Sequence, residues 1–399
     1  MDITIFPAAL HGSVDAIPSK SQAHRLLICA AFADRETVLF CPRTNRDIEA
    51  TAQCLRALGA DIQRTDKGYT VVPIQHIPDT ATLHCGESGS TLRFMLPIVG
   101  ALGVDATFIM EARLPQRPLS PLWDEMERMG CQLSRPTADT LRCQGQLRGG
   151  EYVISGNVSS QFITGLLFAT ALLRQDSQIR IPGRLESKPY VDMTLEALAL
   201  FGVQAEDFRI CGGQRFCSHG PITVEGDWSN GAFFLAAKAL GSQVNINNLS
   251  PTSPQGDRAA AHWLEQLPKG HCLIDATDIP DLVPILSVVA GAYQGARFTG
   301  IRRLRLKETD RVATVCAMLM ALGAKAEATE DTLDIFPAPY QGCTIDATSD
   351  HRIAMSAGIA ATVATGPVTI INADSVNKSY PDFWAEYRRL GGNYEQHLR

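Results

Sequence analysis

The sequence predicts an α/β protein of two domains, each built from three copies of a helix–strand unit. Three observations point there. One pattern recurs along the chain: an amphipathic helix, then Leu, Met or Phe followed by Gly and a small residue, then a short strand of alternating polar and apolar residues. Most copies are roughly 70 residues apart, too long for a solenoid repeat and suited to a unit of two helices and several strands. Between the copies lie Ala- and Leu-rich segments with little polar face, the pattern of helices buried on most sides.

In chain order, Met1-Asp2-Ile3-Thr4-Ile5-Phe6 reads as a first strand. It has no basic stretch followed by an apolar core, so a secretory signal is not expected. The repeat appears at residues 48–62, 119–133, 191–205 and 312–326, with its glycine at Gly59, Gly130, Gly202 and Gly323. A weaker copy covers residues 258–274, and a last helix over 381–390 ends at Gly391-Gly392. Glycine belongs at these helix ends because the position after the cap takes a left-handed backbone that costs other residues more. Buried helices are expected over residues 21–33, 90–101, 161–173, 229–240, 282–293 and 352–364. Six units make two domains of three. Chain crossings near residues 13–18 and 226–227 would give one domain of residues 15–226 and a second joining 1–14 to 227–399. Two consecutive domains without a return crossing fit the periodicity equally well.

The chain has 399 residues, of which 45% are hydrophobic and 20% charged, so it can bury a sizeable core. Lys plus Arg number 36 against 42 Asp plus Glu, a formal net charge of -6. No general attraction to nucleic acid follows from that balance, and any anion site must come from local basic clusters. The longest apolar runs, 162–173 and 282–293, fall short of a membrane span. Eleven Cys are scattered with no Cys-x-x-Cys pair. That fits reduced thiols in a cytoplasmic protein better than a disulfide framework or a zinc site. A monomer is expected.

Chemistry is suggested by what stands at the helix starts. Pro18-Ser19-Lys20-Ser21 with Arg25 combines a cap, a full positive charge and the positive end of a helix dipole, which suits phosphate or carboxylate. A Ser cap with two solvated cations fits the same residues. Gly86-Glu87-Ser88-Gly89-Ser90-Thr91-Leu92-Arg93 offers close backbone approach and three hydroxyls, with neither Walker nor dinucleotide spacing; a plain tight turn reads the same way. Asn157-Val158-Ser159-Ser160-Gln161 and Arg184-Leu185-Glu186-Ser187-Lys188-Pro189-Tyr190 are further polar starts. Lys307-Glu308-Thr309-Asp310-Arg311 and Asp350-His351-Arg352 each put Arg at the wrong end of the helix dipole, which calls for an anionic substrate or a nearby carboxylate. The Asp350–His351 pair lacks a nucleophile elbow, so a triad is discounted. Lys378 precedes the last helix. A chain of negative net charge thus places basic residues beside at least five helix starts. Gathered into one cleft between two domains, they would bind small polyanions.

These motifs, in this order, resemble the 5-enolpyruvylshikimate-3-phosphate synthase family over essentially the whole chain. The resemblance implies two inverted α/β domains of three similar units each, the enolpyruvyl transferase fold, and so favours the return crossing. It implies that Ser21 and Arg25 hold the carboxylate of shikimate 3-phosphate, and that Ser159, Ser160 and Ser187 hold its phosphate. Lys20, Gln161, Asp281 and Lys307 would complete that site. Lys20, Gly89, Arg117, Gln161, Arg311, Arg352 and Lys378 match the phosphoenolpyruvate positions. The 5-hydroxyl would attack C2 of phosphoenolpyruvate while C3 takes a proton, and the tetrahedral intermediate would then lose phosphate. Asp281 is the expected base, and Glu308 or Lys20 the acid at C3. Neither metal nor cofactor is implied, and the partners are the two small substrates, with no nucleic acid and no membrane. The chain departs from the family pattern at His24, Glu87, Phe94 and Arg303. Arg303 stands where Asn is frequent and touches shikimate 3-phosphate.

The nearest alternative is a UDP-N-acetylglucosamine enolpyruvyl transferase, which usually carries a reactive Cys before its Arg-Pro pair. Here Met110-Glu111-Ala112-Arg113-Leu114-Pro115-Gln116-Arg117-Pro118 contains none. A non-catalytic phosphometabolite sensor is the alternative from another class.

Overall fold

The computed structural model describes residues 1–397 and divides into two compact units, Met1–Ile17 with Glu225–Arg399, and Pro18–Val224. The chain opens with β1 (Asp2–Phe6) and β2 (His11–Asp15), both in the first of these.

The Pro18–Val224 unit follows as three modules. The first holds α1 (Lys20–Ala31), β3 (Thr37–Phe40), α2 (Arg46–Ala57), β4 (Asp61–Thr65) and β5 (Gly68–Val72). The second holds β6 (Thr80–Gly86), α3 (Gly89–Leu102), β7 (Asp105–Met110), α4 (Leu122–Arg128), β8 (Cys131–Ser134) and β9 (Thr140–Gly145). The third holds β10 (Gly150–Val153), α5 (Ser160–Ala171), β11 (Ser177–Arg180), α6 (Lys188–Leu200) and β12 (Arg209–Ile210), and β13 (Ile222–Thr223) completes the unit.

The chain then returns. It adds α7 (Trp228–Ala239), β14 (Gln243–Asn247) and α8 (Ala260–Gln266). A further module holds β15 (Cys272–Asp275), α9 (Val283–Ala292), β16 (Ala296–Thr299), α10 (Arg311–Ala321), β17 (Lys325–Ala328) and β18 (Thr332–Phe336). The last holds β19 (Cys343–Asp346), α11 (His351–Ala360), β20 (Val368–Ile371), α12 (Phe383–Arg389) and β21 (Asn393–His397).

The sheets repeat the same logic. Orders β13-β3-β5-β4, β6-β7-β9-β8 and β15-β16-β18-β17 each begin with a parallel pair and continue antiparallel. A parallel pair needs a crossover, and α3 and α9 supply it for β6–β7 and β15–β16. At the crossings the parallel partners come from distant chain: β3 pairs with β13, and β2 pairs with β14. In β19-β20-β1-β21 the first strand lies between two of the last.

The apolar segments become buried helices. Ten residues of α9 run Val-Pro-Ile-Leu-Ser-Val-Val-Ala-Gly-Ala, and nine of them are buried; α5 is buried along nearly its whole length. A helix apolar on all sides is stable only inside. Each unit has its own core of such helices. Helices α3 and α5 pack closely because Gly165 has no Cβ: one there would lie 2.2 Å from the Arg93 carbonyl oxygen. Gly59, Gly130, Gly202, Gly323 and Gly391 all end helices with positive φ.

One expected strand fails. After Gly202 the chain forms only an isolated bridge between Glu206 and Arg209 before β12. The Gln214 side chain takes over the partner's role, accepting from the Gln204 amide at 2.8 Å and donating to its carbonyl at 2.9 Å.

Candidate functional site

The helix starts of the Pro18–Val224 unit are tied together by side chains. Ser19 caps α1, Ser88 caps α3 and Ser159 caps α5, each accepting from a first-turn amide. Lys20 at the start of α1 donates to Asp47 at the start of α2, 2.9 Å away. The Gln161 amide donates to Ser90 at 2.8 Å and accepts from the Arg93 guanidinium at 2.8 Å, joining the starts of α3 and α5. Arg93 also donates to the Pro118 carbonyl at 3.1 Å, so it braces the loop that carries Arg117. Gly89 faces both guanidinium groups: a Cβ there would lie 2.6 Å from Arg117 Nη1 and 2.9 Å from Arg93 Nη1. A glycine at a helix N-terminus beside two cations is an anion site in outline.

Ser159, Ser160 and Ser187 come from two loops pressed together at Gly156, whose added Cβ would sit 2.7 Å from the Arg184 carbonyl oxygen. The Glu186 amide donates to the Gly156 carbonyl at 3.1 Å across the same seam. Ser187 starts α6 with a left-handed backbone (φ 55°) and makes no side-chain cap, unlike Ser159.

Arg25 lies deeper than the carboxylate grip expected of it would require. Its guanidinium donates to Thr194 Oγ1 at 2.9 Å, to the Tyr190 carbonyl at 2.6 Å and to the Ser21 carbonyl, and it is 2% exposed. Burial lowers its pKa to about 10, so it stays charged at neutral pH. It ties α1 to α6 and adjoins Ser21; a carboxylate would have to compete with those carbonyls for it.

The other unit gathers a denser set of charges. Asp281, on the turn before α9, receives Arg311 Nη1 at 2.9 Å and Arg352 Nη2 at 3.0 Å, with Lys307 Nζ at 3.5 Å. Burial alone would raise its carboxyl pKa, but Arg352, Lys307 and Arg311 outweigh it and hold the carboxyl well below the usual carboxylate range. Glu308 accepts from Arg311 Nη2 at 2.6 Å and lies 3.6 Å from Lys378. Lys307 is lowered to about 8, burial outweighing the attraction of Asp281.

Asp350 for Arg311 and Asp281 for Arg352 explain how two arginines can open helices against the dipole. The buried Asp350 carboxylate accepts from Arg311 Nε at 2.9 Å and from Thr309 at 3.2 Å, and it caps α11 through the Arg352 amide at 3.0 Å. With Asp350, Glu308 and Asp281 around it, the Arg311 guanidinium is held charged despite full burial. His351 adjoins this carboxylate, 3.9 Å away, as a ring packed inside the unit. Arg303 donates to the Thr277 carbonyl at 2.9 Å.

The sites expected from sequence thus fall into two groups. Lys20, Ser21, Arg25, Gly89, Arg117, Ser159, Ser160, Gln161 and Ser187 belong to one unit; Asp281, Lys307, Glu308, Arg311, Arg352 and Lys378 belong to the other. Sequence reasoning missed Asp47, Arg93 and Asp350 as the groups that hold the expected ones in place. Only the position of Arg93 beside the glycine turn hinted at its part. Among the described residues no group of His, Cys, Asp and Glu could hold a metal ion, and no helix is long and apolar enough to cross a membrane.

A 3-phosphoshikimate 1-carboxyvinyltransferase of Clostridium perfringens is 38% identical over 98% of both chains, and one of Clostridium botulinum is 37% identical over 98% of both. Among solved structures, an EPSP synthase of Acinetobacter baumannii matches with TM-score 0.79 at 23% identity, covering 99% of this chain and all of that one. The enolpyruvyl transferase NikO of Streptomyces tendae matches with TM-score 0.75 at 18% identity, over 100% of this chain and 99% of that one. Those two likenesses speak for the fold. The family model of EPSP synthase (3-phosphoshikimate 1-carboxyvinyltransferase) matches residues 6–387, and the chain belongs to that family.

Proposed function

We propose that this chain transfers the enolpyruvyl group of phosphoenolpyruvate to the 5-hydroxyl of shikimate 3-phosphate and releases phosphate. The observation that carries the reading is the Asp281 carboxylate gripped by Arg311 and Arg352 beside Lys307 and Glu308. Two guanidinium groups converging on one carboxylate form a ready grip for a small carboxylic acid.

In this reading the phosphoenolpyruvate carboxylate takes over Arg311 and Arg352. Asp281 then loses much of the positive charge that suppresses its proton affinity. It becomes able to accept the proton of the 5-hydroxyl as that oxygen bonds to C2. Glu308 or Lys20 delivers a proton to C3, making a methyl group. The tetrahedral intermediate then breaks its C–O bond to phosphate and gives up a methyl proton, restoring the vinyl group. Lys20, Arg117 and Lys378 offset charge on the departing phosphate, with Gly89 and Gln161 lining the same substrate. Ser21 and Arg25 take the shikimate carboxylate, Ser159, Ser160 and Ser187 the phosphate, and Gln161 and Lys307 the ring hydroxyls. The reading needs both groups of residues to act on one pair of bound substrates. It also has the protein working as a cytoplasmic monomer, which fractionation and sedimentation would check.

Phosphate release measured with both substrates, and with each alone, tests the proposal. Release only with both is expected. Binding of both without release would make the protein a sensor. Reaction with UDP-N-acetylglucosamine in place of shikimate 3-phosphate would make it the other transferase.

A further inference from the structure

Four polar side chains form an unbroken buried line beneath the glycine turn of the Pro18–Val224 unit. His24 Nδ1 lies 2.7 Å from Thr51 Oγ1, which lies 2.7 Å from Thr91 Oγ1, which lies 2.8 Å from Ser88 Oγ. None of the four is more than 1% exposed. They come from α1, α2, α3 and the residue that caps α3, so the line crosses three helices and ends beside Gly89.

The proton order along this line follows from one nitrogen. His24 is neutral, because burial lowers its pKa to about 3. Its Nε2 is buried with no hydrogen-bond partner, and the ring meets Phe94 edge to face at 6.2 Å. A proton on Nε2 would bury a donor with nothing to accept it, whereas a proton on Nδ1 goes to Thr51. Each hydroxyl has one proton to give. Thr51 therefore donates to Thr91, and Thr91, which has Ser88 Oγ at 2.8 Å and the Asp47 carbonyl at 3.4 Å, gives its proton to the nearer oxygen. Ser88 Oγ already accepts from Thr91 Oγ1 and from the Thr91 amide at 3.3 Å. Its own proton is left for something outside this line.

We propose that His24 is a positioning residue for phosphoenolpyruvate: as the Nδ1–H tautomer it orders the hydroxyl line so that Ser88 offers its proton to the anion held at the start of α3. This rests on the enolpyruvyl-transfer reading of the Gly89 turn. It also gives a physical meaning to His24, one of the positions where the chain departs from the family pattern.

Two measurements test it. Nitrogen NMR of the His24 imidazole at neutral pH should report the Nδ1–H tautomer; an Nε2–H tautomer would overturn the proposal. In the phosphate-release assay, Thr51→Val and Ser88→Ala should each raise KM for phosphoenolpyruvate on the order of tenfold, as loss of one donor to a charged group does. KM for shikimate 3-phosphate should stay within about twofold, and the double variant should be no worse than either single one. His24→Leu should behave like Thr51→Val, and His24→Asn, which keeps an N–H near the Nδ1 position, should restore the wild-type value. Equal shifts in both KM values, or none, would sink the inference while leaving the transferase reading intact. If the wild-type protein releases no phosphate, that reading fails, and the tautomer still decides the order of the line.

Discussion

Gly89→Ala puts a single methyl group between two guanidinium groups of the Pro18–Val224 unit. The new Cβ would stand 2.6 Å from Arg117 Nη1, and ordinary van der Waals contact starts at 3.4 Å, so the guanidinium must retreat by about 3.4 − 2.6 = 0.8 Å. Arg93 is less able to give, since Gln161 and the Pro118 carbonyl hold it at 2.8 and 3.1 Å. Arg117 is reached at the far end of a flexible side chain, so the fold should lose less than about 1 kcal/mol. The ligand feels the change more, because a displacement near 1 Å of a positioning group costs on the order of 100-fold. We expect KM for phosphoenolpyruvate to rise on the order of 10- to 100-fold, with KM for shikimate 3-phosphate and the melting temperature little changed. Steady-state kinetics with each substrate varied in turn decides it. An equal loss for both substrates, or a marked loss of stability, would refute the reasoning.

Asp281→Asn should lower kcat on the order of 10²- to 10⁴-fold, the usual worth of a general base, while phosphoenolpyruvate binds no more weakly because a competitor for Arg311 and Arg352 is gone; unchanged turnover would remove Asp281 from the mechanism. Asp350→Asn keeps the α11 cap but takes away the charge facing buried Arg311, and should cost about 3 kcal/mol in urea unfolding. Asp350→Ala should cost about 1 kcal/mol more through the lost cap, and equal values for the two variants would show that the cap contributes nothing. Lys307, lowered to about 8, should lose its grip on shikimate 3-phosphate as pH rises past that value, so kcat/KM falls on the alkaline side and Lys307→Arg removes the limb. Folding stability runs the other way: the unfolded side chain binds its proton more tightly, so this group's contribution rises between about 8 and 10.5.

Much of the fold could be read in advance because its signals are local. The helix-ending glycines and the all-apolar segments specify their elements within a few residues of sequence. The strand after Gly202 could not, since its replacement depends on a side chain ten residues further on. The site divides in the same way. Arg311 and Arg352 stand out in the sequence because a cation at a helix start is unfavourable, which correctly demanded a counter-charge. Which carboxylates would answer was not legible: Asp350 lies 39 residues from Arg311, and Asp281 lies 71 from Arg352. Arg25 shows the opposite case. Its place one turn after Lys20 suggested an outward charge, and packing of α1 against α6 turned it to the Tyr190 carbonyl, 165 residues away.

The placement of β1 sets an order on synthesis. It pairs on one side with β20 and on the other with β21, its Ile3 facing Ile370 and Gln396. Both neighbours leave the ribosome after every residue of Pro18–Val224, which can complete its own core first. Until then β1 has two open edges and nothing to close them, the state in which a nascent strand is most exposed to wrong partners. Five residues with only Ile3 and Ile5 pointing to the core make a short, weak template for such errors. A ribosome stalled before β20 should therefore carry one protease-resistant body and one that is still cut.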